Sequence, residues 1–132
     1  MSKHKAEITA YYPANDKMNG GYIDASGNKL NPDNNTCAAP KNIPFHTLIK
    51  VSGTNTKYDN QIYKVTDRGS SIVVDKNGVY HIDLLMHTKQ ECLQFGRRQG
   101  YIEILESTNK TNAIKNASSK LKAFGDLKNK KK

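Results

Sequence analysis

Apolar stretches of four to six residues, each cut off by Gly, Asn, Asp or Pro, most constrain how this chain can fold. In Gln61–Thr66 the residues Ile62, Lys64 and Thr66 alternate with Tyr63 and Val65, the period of a half-buried strand. Glu7–Tyr12, Thr36–Ala39, Thr47–Val51 and Tyr101–Leu105 have the same length and punctuation. Ser71–Val74 and Val79–Asp83 flank Asp75-Lys76-Asn77-Gly78, whose Asn-Gly predicts a hairpin turn. Only Thr88-Lys89-Gln90-Glu91 opens a helix with clear signals. Its Thr and Glu form a capping box, and Gly96 closes the helix after about Phe95. About six short strands and one short helix predict a mainly β chain folded as a small barrel.

Length adds that the chain is one domain with an appendage. Residues 1–107 carry 13 Lys/Arg against 11 Asp/Glu, a net of +2, whereas residues 108–132 carry eight Lys and one Asp, a net of +7. The +9 total therefore belongs mainly to the tail. A weak apolar stripe there (Ala113, Ile114, Ala117, Leu121, Phe124) predicts a helical or disordered segment. Such a lysine run is either a solvated end or an attractor of polyanions such as anionic wall polymers. No 18-residue apolar run spans a membrane, and the start lacks the apolar region of a Sec signal peptide. Cys37 and Cys92 show no metal-ligand spacing; they are two free buried thiols or one disulfide.

Two carboxylates stand where apolar stretches end: Asp67 in Asp67-Arg68-Gly69, and Asp83 in His81-Ile82-Asp83-Leu84. Acid/base work on a sugar needs one carboxyl whose proton is held near neutrality by apolar walls or a neighbouring charge. Ile82, Leu84 and Leu85 offer the walls and Asp67 the charge. The plainer readings are a turn-capping Asp67 and a strand-end Asp83 bonded to backbone amides. Arg68 can pair with either acid. His81 shares a strand face with Asp83, but His81, His46 and His87 form no tight ligand motif, so neither metal nor cofactor is expected. The long polar loop from Pro13 to Asn35 reads as a binding loop, with Asp24 as a third acid. Tyr11, Tyr12, Tyr22 and Tyr80 either stack on sugar rings or simply pack.

The strings Thr36-Cys37-Ala38-Ala39-Pro40-Lys41-Asn42-Ile43-Pro44-Phe45-His46-Thr47, Val65-Thr66-Asp67-Arg68-Gly69, His81-Ile82-Asp83-Leu84 and Glu91-Cys92-Leu93-Gln94-Phe95-Gly96-Arg97-Arg98 resemble, in order, the three-aspartate ("3D") domain family. That family is similar to MltA-type lytic transglycosylases and to RlpA- and expansin-like barrels. The resemblance covers roughly residues 8–105. It implies a six-stranded double-psi β-barrel acting on peptidoglycan glycan strands. Asp67 and Asp83 match the second and third family aspartates, with Asp83 at the general acid/base position; the first falls at Ala39. Asp24, Tyr12, Arg68 and His81 are then expected to bind substrate.

The expected activity is lytic cleavage of the glycan, in a phage, prophage or phage-tail-like particle that opens the wall locally. The expected location is thus the virion or the wall, with tail or hub proteins as partners. The rival expectation is a non-catalytic wall-binding or structural tail module.

Overall fold

The computed structural model describes residues 2–14 and 22–107. Six strands run in chain order: β1 (Ser2–Tyr11), β2 (Thr36–Ala38), β3 (Thr47–Ser52), β4 (Ile62–Asp67), β5 (Tyr80–Leu85) and β6 (Arg98–Ser107). They close on themselves in the order β1-β5-β2-β4-β3-β6. The pairs β1·β5 and β2·β4 are parallel and the other four antiparallel, so the barrel is mixed and its chain must cross over between parallel neighbours. Closure pairs each of the six strands on both sides over at least part of its length. One helix, α1 (Lys89–Phe95), and one 3-10 turn (Pro32–Asn34) complete the fold. This is the mainly β, six-stranded barrel expected. The tail readings on residues 108–132, and the part of the long loop at residues 15–21, lie outside the described residues.

Alternation sorts the strands into an inner and an outer face. Inward residues Ala6, Ile8, Cys37, Ile49, Val51, Tyr63, Val65, Ile82, Leu84 and Ile102 fill the barrel. Each large aliphatic side chain so buried contributes about 1.5–3 kcal/mol. A smaller apolar cluster sits on the outer face: Tyr11, Leu30, Ala38, Ile72 and Leu85. Between them these clusters bury both sides of β5, leaving Leu84 on the inside and Leu85 on the outside.

Helix α1 follows its capping signals. The Glu91 amide donates to Thr88 Oγ1 at 3.1 Å, the Glu91 carboxylate accepts from the Thr88 amide, and the Gly96 amide closes on the Cys92 carbonyl at 2.9 Å. Phe95 anchors it, edge-on to Tyr58 with ring centroids 5.6 Å apart. Cys37 is buried, Cys92 is half-buried, and both are free thiols. Burial, with the charges of Asp83 and Glu91, pushes the Cys92 thiol up to about 11, which keeps it protonated and inert at neutral pH.

One expected strand is absent. The Asn77-Gly78 turn forms, with Gly78 at φ 81° and the Asp75 amide donating to the Val79 carbonyl. Ser71–Val74, however, contributes only a single bridge, Val74 to Tyr80. β5 is already paired by β1 along its whole length and by β2 at Asp83 and Leu84, so only its first residues have an edge to offer. Ile72 instead turns inward onto the outer apolar cluster.

At Gly100, β6 runs too close to the end of β3 to admit a side chain. A Cβ there would lie 2.6 Å from the Ser52 carbonyl oxygen and 3.0 Å from Thr54 Cγ2. Backbone cannot retreat without breaking the β3·β6 ladder. Gly100→Ala should therefore destabilise the chain by about 1–3 kcal/mol. The urea midpoint should fall with little change in the slope; an unchanged midpoint would show that the barrel tolerates a methyl here.

Candidate acid/base site on the outer barrel face

Strict alternation would send Asp67 into the barrel after Tyr63 and Val65. A register shift prevents this. Cys37 pairs with Val65, but the next residue, Ala38, pairs with Asp67, so Thr66 is the extra residue of a bulge. A bulge re-aims the side chain that follows it. Ala38 also pairs with Asp83 on its other side. Asp67 and Asp83 thus flank Ala38 on the outer face, with Cα atoms roughly 9–10 Å apart from two strand spacings. Both acids are half-buried, and Ala38 between them is buried within the outer apolar cluster.

The surroundings of the two acids differ. Asp67 accepts at both oxygens: from the Tyr11 hydroxyl at 3.0 Å, from the Ala25 amide at 2.9 Å and from the Arg68 amide at 2.9 Å. It caps its own turn, as the plainer reading held, and also docks the long loop onto the barrel. Asp83 accepts from the Thr9 hydroxyl at 2.9 Å. Burial is the main influence on the Asp83 carboxyl and lifts it above the ordinary carboxylate range. The Thr9 bond, His81 and Arg97 pull it back, while the charge of Asp67 lifts it further; the balance is upward. Burial, then Asp67 and more weakly Asp83, also raise the Tyr11 phenol, so it stays protonated as a donor.

His81 lies on the same face as Asp83. Its Nε2 is 3.1 Å from Thr9 Oγ1 and its Nδ1 is 2.9 Å from the Ser71 carbonyl oxygen. Beside it, Arg97 pairs with Glu7 at 3.1 Å. Arg68 serves a different purpose. Its guanidinium donates to the Ala39 carbonyl at 3.1 Å and the Ile43 carbonyl at 2.8 Å, and it lies 4.3 Å from the Phe45 ring centroid. It fastens the Pro40–Ile43 turn. Ala39 is fully buried in the barrel core and brings nothing to the outer face.

Asp24 is spent locally. Its Oδ1 accepts from the Ser26 amide, the Ser26 hydroxyl and the Asn28 amide, which shapes the loop that then meets Asp67 through Ala25. It also borders a cleft of about 670 Å³ with Thr36, His46, Lys64 and Thr66, a cleft that neither Asp67 nor Asp83 lines. Tyr12 is half-buried just after β1, Tyr22 is exposed, and Tyr80 stacks on His4 at 4.6 Å. The ring that reaches an acid is Tyr11. Among the described residues no cluster of three His, Cys, Asp or Glu could hold a metal, and no helix is long and apolar enough to cross a membrane.

Thr9 was not singled out by the sequence, and Tyr11 only as one of several stacking candidates. Their i, i+2 spacing on β1 puts both on the face that carries Asp83, but that spacing is common to every strand.

The Arg68 fork gives a clean test. Arg68→Lys keeps the charge but not the two-pronged geometry, so it should cost about 1–3 kcal/mol in equilibrium unfolding, and Arg68→Ala more. Wild-type stability in the Lys variant would mean that the charge alone holds the turn. No protein-family model matches this chain, and no curated protein matches it either.

Proposed function

We propose that the chain cleaves peptidoglycan glycan strands by the route of a lytic transglycosylase, with Asp83 as the general acid and then base. One observation supports this most: a half-buried, solvent-reaching carboxyl held above the ordinary carboxylate range, with a second carboxylate two strands away. Glycosidic cleavage needs a proton for the leaving oxygen and relief of positive charge at the anomeric carbon. In the proposed course Asp83 gives its proton to the glycosidic oxygen. The muramoyl C6 hydroxyl then attacks the anomeric carbon and returns its proton to Asp83, leaving a 1,6-anhydro end. No water enters the product, and the acid ends as it began. Asp67, with the Tyr11 hydroxyl on it, supplies negative charge beside the cationic centre.

The resemblance to the three-aspartate family and its double-psi barrels supports this choice of substrate. It also supports the setting we propose: a phage, prophage or tail-like particle acting at the wall, with hub or tail proteins as neighbours. One observation favours a rival. Asp67 has both oxygens engaged in holding a turn and a loop, which would suit a barrel that grips glycan without cutting it.

Asp83→Asn separates the two. Soluble fragment release from purified sacculi should fall by at least about a hundredfold, the lower range for loss of a general acid. Asp67→Asn should fall less. Asp83→Asn should also be more stable than wild type at neutral pH. A carboxyl raised in the folded state destabilises the fold as pH climbs from its unfolded to its folded value, and the full cost persists above both. The stability gap between Asp83→Asn and wild type should therefore open from about pH 4 upward, near the unfolded carboxylate value. Unchanged fragment release in Asp83→Asn would remove the assignment.

A further inference from the structure

Three hydrogen bonds run in series on the outer face: Ser71 carbonyl oxygen to His81 Nδ1 at 2.9 Å, His81 Nε2 to Thr9 Oγ1 at 3.1 Å, and Thr9 Oγ1 to Asp83 Oδ1 at 2.9 Å. Their protons can be counted. A carbonyl oxygen only accepts, so Nδ1 carries a hydrogen and donates it. The remaining two links each need one hydrogen, and the Thr9 hydroxyl owns only one. One further proton must therefore reside on the chain, and there are two places for it. With the proton on His81 Nε2, the ring is an imidazolium that donates to Thr9, and Thr9 donates to an ionised Asp83. With the proton on Asp83, the carboxylic acid donates to Thr9, and Thr9 donates to a neutral Nε2.

We propose that Thr9 is a positioning residue whose hydroxyl couples His81 to Asp83, so that the ring and the carboxyl share a single proton. This rests on Asp83 being the acid of the proposed reaction. Interconversion moves two protons in one direction: Nε2–H passes to Thr9 Oγ1 as the Thr9 proton passes to Asp83 Oδ1. Both forms carry the same net charge and the same number of bonds, so the exchange between them leaves neither link empty. The consequence is chemical. Before the leaving group is protonated, His81 can load Asp83 through Thr9 without a water molecule, and the proton that the C6 hydroxyl returns to Asp83 can pass back to the ring, which Ser71 anchors. The β1·β5 register, which pairs Thr9 with Asp83, sets the spacing.

Other charged or titratable groups surround this pair and set its background. Glu7 on β1 pairs in register with His81 and is bound by Arg97. Asp67 on β4, Cys37 on β2, Cys92 at α1 and Tyr11 on β1 also lie within electrostatic reach of Asp83. None of them enters the hydrogen-bond series.

The test compares Thr9→Val, which keeps the shape and removes the hydroxyl, with Thr9→Ser, which keeps the hydroxyl. In wild type the ¹³C signal of the Asp83 carboxyl and the ¹⁵N signal of His81 Nε2 should respond together across a pH titration. In Thr9→Val each should move at its own pH, and Thr9→Ser should restore the joint response. On sacculi, kcat/KM should fall about tenfold or more in Thr9→Val, with a changed pH profile, and return in Thr9→Ser. Independent titration of the two groups in wild type, or a Thr9→Val chain titrating as wild type does, would overturn the proposal. A wild-type chain inert on sacculi whose two signals still move together would uphold the relay and reject the glycan-cleaving reading.

Discussion

Everything at the candidate site depends on one extra residue in β4. Thr66 is the unpaired member of the bulge, and the shift it causes lets Ala38 face Asp67 on one side and Asp83 on the other. Without it, Asp67 would point among Tyr63 and Val65 in the core, where an unpaired charge is not tolerated. With it, Asp67 reaches the outer face, meets the Tyr11 hydroxyl and the Ala25 amide, and ties the long loop to the barrel. Ala38, between the two acids, is buried in the outer apolar cluster with Tyr11 and Leu85.

The two carboxylates then diverge because their donors differ. Asp67 collects two backbone amides and a phenol, and its part is fixed: it holds the loop and projects charge. Asp83 has a hydroxyl whose own proton is contested by a histidine, in a setting where burial outweighs the stabilising contacts. The two carboxyls therefore sit in unlike surroundings, one held by three donors and the other raised by burial. The barrel contributes rigidity to both, since Ile82 and Leu84 are locked in the interior on either side of Asp83.

Much of the fold was legible because the relevant forces are local. Alternation from Ile62 to Val65, the Thr88/Glu91 box and the Asn77-Gly78 turn each act within a few residues, and each formed as read, whereas the alternation breaks at Thr66. Asp83 was legible for the same reason, standing next to core residues that define its strand. The bulge was not, because it exists only relative to β2, some thirty positions earlier in the chain. Arg68 looked like a free cation beside an acid, yet its fork is consumed by the carbonyls of Ala39 and Ile43, acceptors that any sequence supplies everywhere. Ser71–Val74 had the composition of a strand but met only the first residues of β5, through one bridge from Val74 to Tyr80. Thr9 carried no signal at all: its importance lies in a pairing register, not in its type.

The most direct test of the account is mass spectrometry of the products released when the purified chain is incubated with sacculi. Asp83 acting first as acid and then as base, with the C6 hydroxyl as the attacking group, predicts muropeptides ending in 1,6-anhydromuramoyl residues. Fragments with only reducing ends, or no soluble fragment while the chain stays bound to the sacculi, would contradict it.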